Sequence, residues 1–141
     1  MLVNQILARR VLYSVDEAQT VEEVTRRMAE LNVGAIVVLS KQRLCGVFSE
    51  RDLLTRVVLL GCDPARTLVA EVMTRDVATV DESDNLEFAM ESMRVNNCRH
   101  LPVLHGERVT GFLSMRDLMH FELNRKTEEL LHMRAYIHGT A

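Results

Sequence analysis

Apolar positions fall along the chain in two alternating rhythms. Val21, Val24, Met28 and Leu31 are spaced 3, 4 and 3, which sets them on one face of a helix. The run Ala35-Ile36-Val37-Val38-Leu39 follows, short and rich in β-branched residues, as a buried strand would be. After a polar turn, Ser40-Lys41-Gln42-Arg43, a second strand is predicted over 44–48, and a helix opens near Arg51. A short extended entry over 11–15 precedes all of this. The same order then recurs. An entry over 77–80 leads to Leu86, Ala89, Met90 and Met93 on one helical face, then to Leu101-Pro102-Val103-Leu104. The turn His105-Gly106-Glu107-Arg108, a strand over 109–113 and a helix opening near Arg116 complete it. Each unit reads β-α-β-β-α.

The recurrence is a duplication. Sliding the sequence by 65 positions, without a gap, matches fourteen residues of 15–53 to identical residues of 80–118. Among them are Val15-Asp16-Glu17 on Val80-Asp81-Glu82, Asn32 on Asn97, Gly46 on Gly111, and Arg51-Asp52-Leu53 on Arg116-Asp117-Leu118. Internal repeats of this kind cannot bury their apolar faces alone and pack on each other. The expected fold is therefore α/β (α+β), with two βαββα repeats packed as a pseudo-two-fold pair. Residues 1–66 are assigned to repeat 1 with an N-terminal segment, 67–125 to repeat 2, and 126–141 to a C-terminal helical extension. Gly61 and Pro64 mark the connection between repeats, and 69–73 reads as a short helical turn.

Composition narrows the function classes. The chain has 141 residues, 48% of them hydrophobic and 26% charged, enough for a packed core. No apolar run reaches the roughly 20 residues of a membrane helix, and the N-terminus lacks a signal-peptide pattern, so a cytoplasmic protein is expected. A net charge of −3, with scattered basic residues, argues against a nucleic-acid partner. Three cysteines, Cys45, Cys62 and Cys98, show no metal or disulfide spacing, and no metal site is expected. No nucleophile–base spacing, P-loop or G-x-G-x-x-G occurs, so no catalytic residues are assigned and the chain is not expected to be an enzyme.

The chemistry that remains sits where each second strand meets a helix. Copy one reads Gly46-Val47-Phe48-Ser49-Glu50-Arg51-Asp52 and copy two Gly111-Phe112-Leu113-Ser114-Met115-Arg116-Asp117. Glycine inside a strand often marks a close backbone approach by a ligand or another chain. A helix start presents free N–H groups to an anion, and a serine there adds a hydroxyl. An aspartate three residues on can accept from both hydroxyls of a ribose. Ser-x-x-Asp is equally a helix capping box, and duplication alone does not separate the two readings.

With these motifs the sequence resembles a tandem pair of cystathionine-β-synthase (CBS) domains, a Bateman module, over roughly residues 1–125. The resemblance implies a regulatory module for an adenosine-containing ligand, with AMP favoured and ATP, ADP, NAD or S-adenosylmethionine as alternatives, and no required cofactor. It implies that Ser49 and Asp52, and likewise Ser114 and Asp117, contact phosphate and ribose. It further implies clefts built across the repeats. The first would combine Ser49 and Asp52 with Ala78, Thr79 and Val80 and with Arg99, His100, Leu101 and Pro102. The second would combine Ser114 and Asp117 with Tyr13, Ser14, Val15, Gly34, Ala35 and Ile36. Gly111 belongs to the second motif. Arg51 and Arg116 either reach a phosphate or pair with a carboxylate, and Arg99 is either a phosphate ligand or a solvated charge. On this assignment the first cleft, holding Arg99 and His100, is expected to prefer the phosphorylated ligand.

The same resemblance implies a homodimer. After Asp117 the residues Met119, Leu123, Lys126, Leu130, Met133 and Ile137 are spaced 4, 3, 4, 3 and 4, a seam that suits either the chain's own module or a second copy. The function expected is an adenine-nucleotide sensor acting through dimer geometry on an unidentified target. The alternative is a ligand-free interaction module whose serine and aspartate pairs only cap helices.

Overall fold

The computed structural model describes residues 1–8 and 10–137. Two three-stranded sheets form, one per repeat, in the orders β1-β2-β3 and β4-β5-β6. In repeat 1, β1 (Ser14–Asp16) runs parallel to β2 (Ala35–Ser40), and β2 pairs antiparallel with β3 (Arg43–Ser49). In repeat 2, β4 (Val80–Asp81), β5 (His100–His105) and β6 (Arg108–Ser114) repeat that arrangement. The parallel pair needs a crossover, supplied by α2 (Val21–Leu31) and α5 (Leu86–Asn96). The predicted βαββα order is present twice. The entry strands are shorter than the sequence suggested, because only Ser14–Asp16 and Val80–Asp81 find a ladder partner.

Many of the repeated identities are local folding signals. Asn32 and Asn97 take φ values of 55° and 49°, ending α2 and α5 in the left-handed conformation that asparagine tolerates. Asp16 and Asp81 each accept from the backbone N–H two residues on, at 2.9 Å. Thr20 and Asn85, not identical, both cap the following helix through a side-chain oxygen.

Two apolar cores form. The first joins Val15, Val21, Val24, Met28, Ile36, Val38, Phe48 and Val57 to Val69, Val72 and Met73. The second joins Val80, Leu86, Ala89, Met93, Leu101, Val103, Leu113 and Leu118 to Val3 and Ile6. Each repeat is thus completed by a helix that precedes the other. Helix α4 (Val69–Val72) docks on repeat 1, where Val69 donates to the Gln19 carbonyl and Ala70 to that of Glu17. Helix α1 (Val3–Leu7) docks on repeat 2, where Val3 donates to Asp84 and Asn4 to Glu82, the equivalent positions. The chain must therefore cross between repeats twice, after α1 and after α4.

The closing helices differ. In repeat 1 a single turn, α3 (Glu50–Asp52), widens into a π-helical segment, Leu53–Val58. In repeat 2, α6 (Met115–Ile137) is one unbroken helix of 23 residues, about 34 Å long at 1.5 Å per residue. No break separates residues 115–125 from the expected extension, and residues 138–141 of that extension lie outside the described residues. Among the described residues, no helix is long and apolar enough to cross a membrane.

Candidate functional site

The two G-x-x-S-x-R-D turns fold alike at their first contacts. The Ser49 hydroxyl accepts from the Asp52 N–H at 3.2 Å, and Ser114 accepts from the Asp117 N–H at 3.1 Å. Each aspartate returns the bond: its Oδ2 accepts from the serine N–H, at 3.0 Å in repeat 1 and 3.1 Å in repeat 2. Both turns are capping boxes. A cap occupies one carboxylate oxygen and leaves the other, Oδ1, for something else.

What meets Oδ1 separates the repeats. Asp52 is 6% exposed, the one charged residue in the cores described. Its Oδ1 accepts from the Thr74 hydroxyl at 3.0 Å and lies 3.6 Å from Arg56 Nε. Arg56 in turn donates to the Met73 carbonyl at 2.9 Å. Asp117 stands at the edge of an open cleft, where its Oδ1 meets Arg10 Nη1 at 2.5 Å, and the arginine side chain is 48% exposed.

The crossing segments cause this difference. After α4 the chain lies on β3, and Thr74 and Val47 exchange backbone hydrogen bonds of 2.9 Å each. Gly46 permits that approach, since a Cβ there would stand 2.4 Å from the Thr74 carbonyl oxygen. The second crossing thereby covers Asp52. Between α1 and β1, residues 10–13 line the cleft that Asp117 also lines. At Gly111 the near neighbour is the Leu7 side chain, not backbone.

The cleft is an open groove of about 1610 Å³, wide enough to admit a nucleotide. Ser114, Arg116, Asp117, Arg99 and His100 line it from repeat 2, and Tyr13, Gly34, Ala35 and Glu50 from repeat 1. Arg99 and His100 were expected beside Ser49 and Asp52. Strand register puts them beside Ser114 instead: His100 pairs with Ser114, and Met115 donates to the Arg99 carbonyl at 2.8 Å. Arg99 and His100 of the first expected cleft thus join Arg116 of the second. The imidazole of His100 stacks on Phe112, with centroids 5.1 Å apart and an interplanar angle of 19°. Burial lowers the pKa of His100 and Arg99 adds to this, while Asp117 opposes it. Burial alone would raise the carboxyl of Asp117, but hydrogen bonds from Ser114 and Arg10, with the charge of Arg10, hold it below its ordinary value.

Other expected positions lie elsewhere. The side chains of Val15, Ile36, Val80 and Leu101 are in the cores, so these residues can offer a ligand only their backbone. Pro102 is buried, Ala78 packs against the second core, and Ser14 and Thr79 stand outside the residues lining the cleft. Arg51 is exposed and also outside it.

Sequence reasoning missed Arg10, Thr74 and Arg56. One signal was available for the crossings: Leu2-Val3 recurs as Leu68-Val69, at an offset of 66. A gap-free slide of 65 passes over it.

A family model described as CBS domain matches residues 3–59 and again 69–124. The chain belongs to the CBS domain family. Among curated relatives, the mitochondrial CBS domain-containing protein CBSX3 of Arabidopsis thaliana is 33% identical over 85% of this chain. CBS domain-containing protein YhcV of Bacillus subtilis is 31% identical over 74% of this chain and 74% of its own length. The chain spans 61% of the length of the plant protein and 60% of an uncharacterised relative from Methanopyrus kandleri. The plant protein and the Bacillus protein are named for their CBS domains. One solved CBS-domain structure superposes with a TM-score of 0.82 at 32% identity, over 87% of this chain and 98% of that one. A CBS domain protein from Pyrobaculum aerophilum, solved in complex with AMP, superposes with a TM-score of 0.76 at 30% identity, over 83% of this chain and 89% of the other. This CBS pair therefore shares its fold with a protein that holds a nucleotide.

Proposed function

We propose that this CBS pair is a regulatory module that binds one adenine nucleotide per chain, in the Ser114–Asp117 cleft, and signals through the geometry of a homodimer. The observation that carries the reading is the unequal state of the two aspartates. The Oδ1 of Asp117 is paired with the half-exposed Arg10 in a cleft that also holds Arg99 and Arg116. Asp52 has both oxygens engaged within the fold. A carboxylate for the ribose and guanidinium groups for the phosphate are the chemistry a nucleotide monophosphate needs. AMP is the ligand the reading favours, supported by the AMP complex of the similar archaeal protein. The preference for a phosphorylated ligand, expected of the first cleft, moves to the second with Arg99 and His100.

Self-association is supported by apolar side chains left in solvent. Leu54, Val58, Leu59 and Leu60 on the π-helical side, and Met119 and Leu123 on α6, are each at least 59% exposed. A second copy would cover them, and a ligand that binds the two dimer geometries unequally would shift between them. A cytoplasmic setting and an unidentified protein target complete the proposal.

Ligand-free protein tested by thermal shift against AMP, ADP, ATP, NAD, S-adenosylmethionine and GMP should respond selectively to an adenosyl compound. Ligand at 100 times its Kd adds about 2.7 kcal/mol. Calorimetry should give one site per chain, lost in Asp117→Ala. No response from folded, ligand-free protein would favour the alternative, an interaction module acting through the exposed apolar face of α6.

A further inference from the structure

We infer that Arg10 makes the cleft demand a phosphate: in the free protein it occupies the Asp117 oxygen a ribose would use, and on binding it passes to the phosphate. This rests on the Ser114–Asp117 reading above and adds a residue the family motif does not contain.

The geometry sets up a competition. Asp117 Oδ2 already accepts from the Ser114 N–H, and Oδ1 is the oxygen that meets Arg10 at the cleft. Arg10 Nη1 stands 2.5 Å from that atom. A ribose hydroxyl cannot donate to Oδ1 along the same direction while the guanidinium is there. The arginine is half-exposed, and residues 10–13 follow the cleft wall, so the side chain can swing within the cleft without disturbing either core. Arg99 and Arg116 line the same cleft, and on this inference the released guanidinium joins them at a phosphate bound there.

The exchange conserves partners only for a phosphorylated ligand. With AMP, Asp117 trades one cation for hydroxyl donors and Arg10 trades a carboxylate for a phosphate it can grip with two N–H groups. With adenosine, Arg10 loses its carboxylate and gains only water. Arg10 thus opposes the nucleoside and assists the nucleotide. The equivalent oxygen in repeat 1 meets the neutral Thr74 hydroxyl and Arg56, whose guanidinium also donates to the Met73 carbonyl.

The test is the ratio of AMP to adenosine affinity, measured by calorimetry on ligand-free protein. Arg10→Gln should bind adenosine more tightly and AMP more weakly, lowering the ratio by about tenfold, the size of one charge-assisted hydrogen bond. Arg10→Lys keeps the charge without the fork and should retain part of the ratio. Arg99→Gln should weaken AMP without tightening adenosine, which separates competition at Asp117 from general attraction. A ratio unchanged in Arg10→Gln, in protein that still binds AMP, overturns this inference and leaves the cleft reading standing. Wild-type protein that binds neither compound overturns the cleft reading and this inference together. Melting each variant without ligand checks that the fold is kept.

Discussion

Gly46 and Gly111 occupy the same motif position, yet substitution should separate them sharply. A Cβ at Gly46 meets a backbone carbonyl at 2.4 Å, and that carbonyl is fixed by pairing with β3. Gly46→Ala should cost about 1–3 kcal/mol through forced backbone movement. At Gly111 the obstacle is the end of the Leu7 side chain, which can turn aside. Gly111→Ala should cost less than about 1 kcal/mol, a rotamer shift. Urea midpoints of the two variants decide this. His100 gives a pH test. Its pKa is lowered by burial, so the folded protein resists a proton that the unfolded chain accepts near pH 6.5. The unfolded state then binds more protons, and stability falls as pH drops through that value toward the folded pKa. His100→Gln should flatten the profile there. Asp117 acts lower: its depressed pKa contributes stability that is lost as pH falls through the folded value.

The two hairpins solve one problem with different sequences. Both close with two residues, since Ser40 pairs with Arg43 and His105 with Arg108. In the second, Gly106 alone takes a positive φ, 63°, the pattern of a II′ turn. In the first, Lys41 and Gln42 are both left-handed, at φ 50° and 68°, where side chains are strained. Gln42→Gly should therefore stabilise the protein by about 1 kcal/mol, read as a raised urea midpoint. The apolar periodicity predicted a helix after β3 but carried no sign of its π-helical course. Leu59 donates to the Leu54 carbonyl at 3.0 Å, and this wide turn carries Arg56, which clamps the second crossing. The counterpart of Arg56 at the repeat offset is Phe121, so the clamp was not duplicated.

At the scale of the molecule, the exchange of α1 and α4 ties the repeats together. Val3 is fully buried in the core of repeat 2, although it precedes repeat 1. Val3→Ala should cost about 1–3 kcal/mol, and hydrogen exchange should show lost protection in α5 and β4–β6. Loss confined to α2 and β1–β3 would contradict the docking described. Asp52→Ala should lower stability by about 1–3 kcal/mol by leaving Thr74 and the Ser49 N–H without their partner. It should spare nucleotide binding, because the second crossing already covers that site.

Sequence alone determined whatever depends on spacing within one repeat. The β-α-β-β-α order and the paired Ser-x-x-Asp turns follow from local periodicity and from identity at a fixed offset. Such signals are legible because a strand alternates and a helix turns whichever neighbours it acquires. Tertiary structure decided which aspartate stays available. That outcome depends on the courses of two crossing segments, on Thr74 and Arg56 at one cleft and Arg10 at the other. These residues lie far along the chain from the aspartates or outside the repeated pattern, and only packing brings them to the carboxylates. It also moved Arg99 and His100 from the first cleft to the second, because strand register, which the motif does not encode, fixes the neighbour of Ser114.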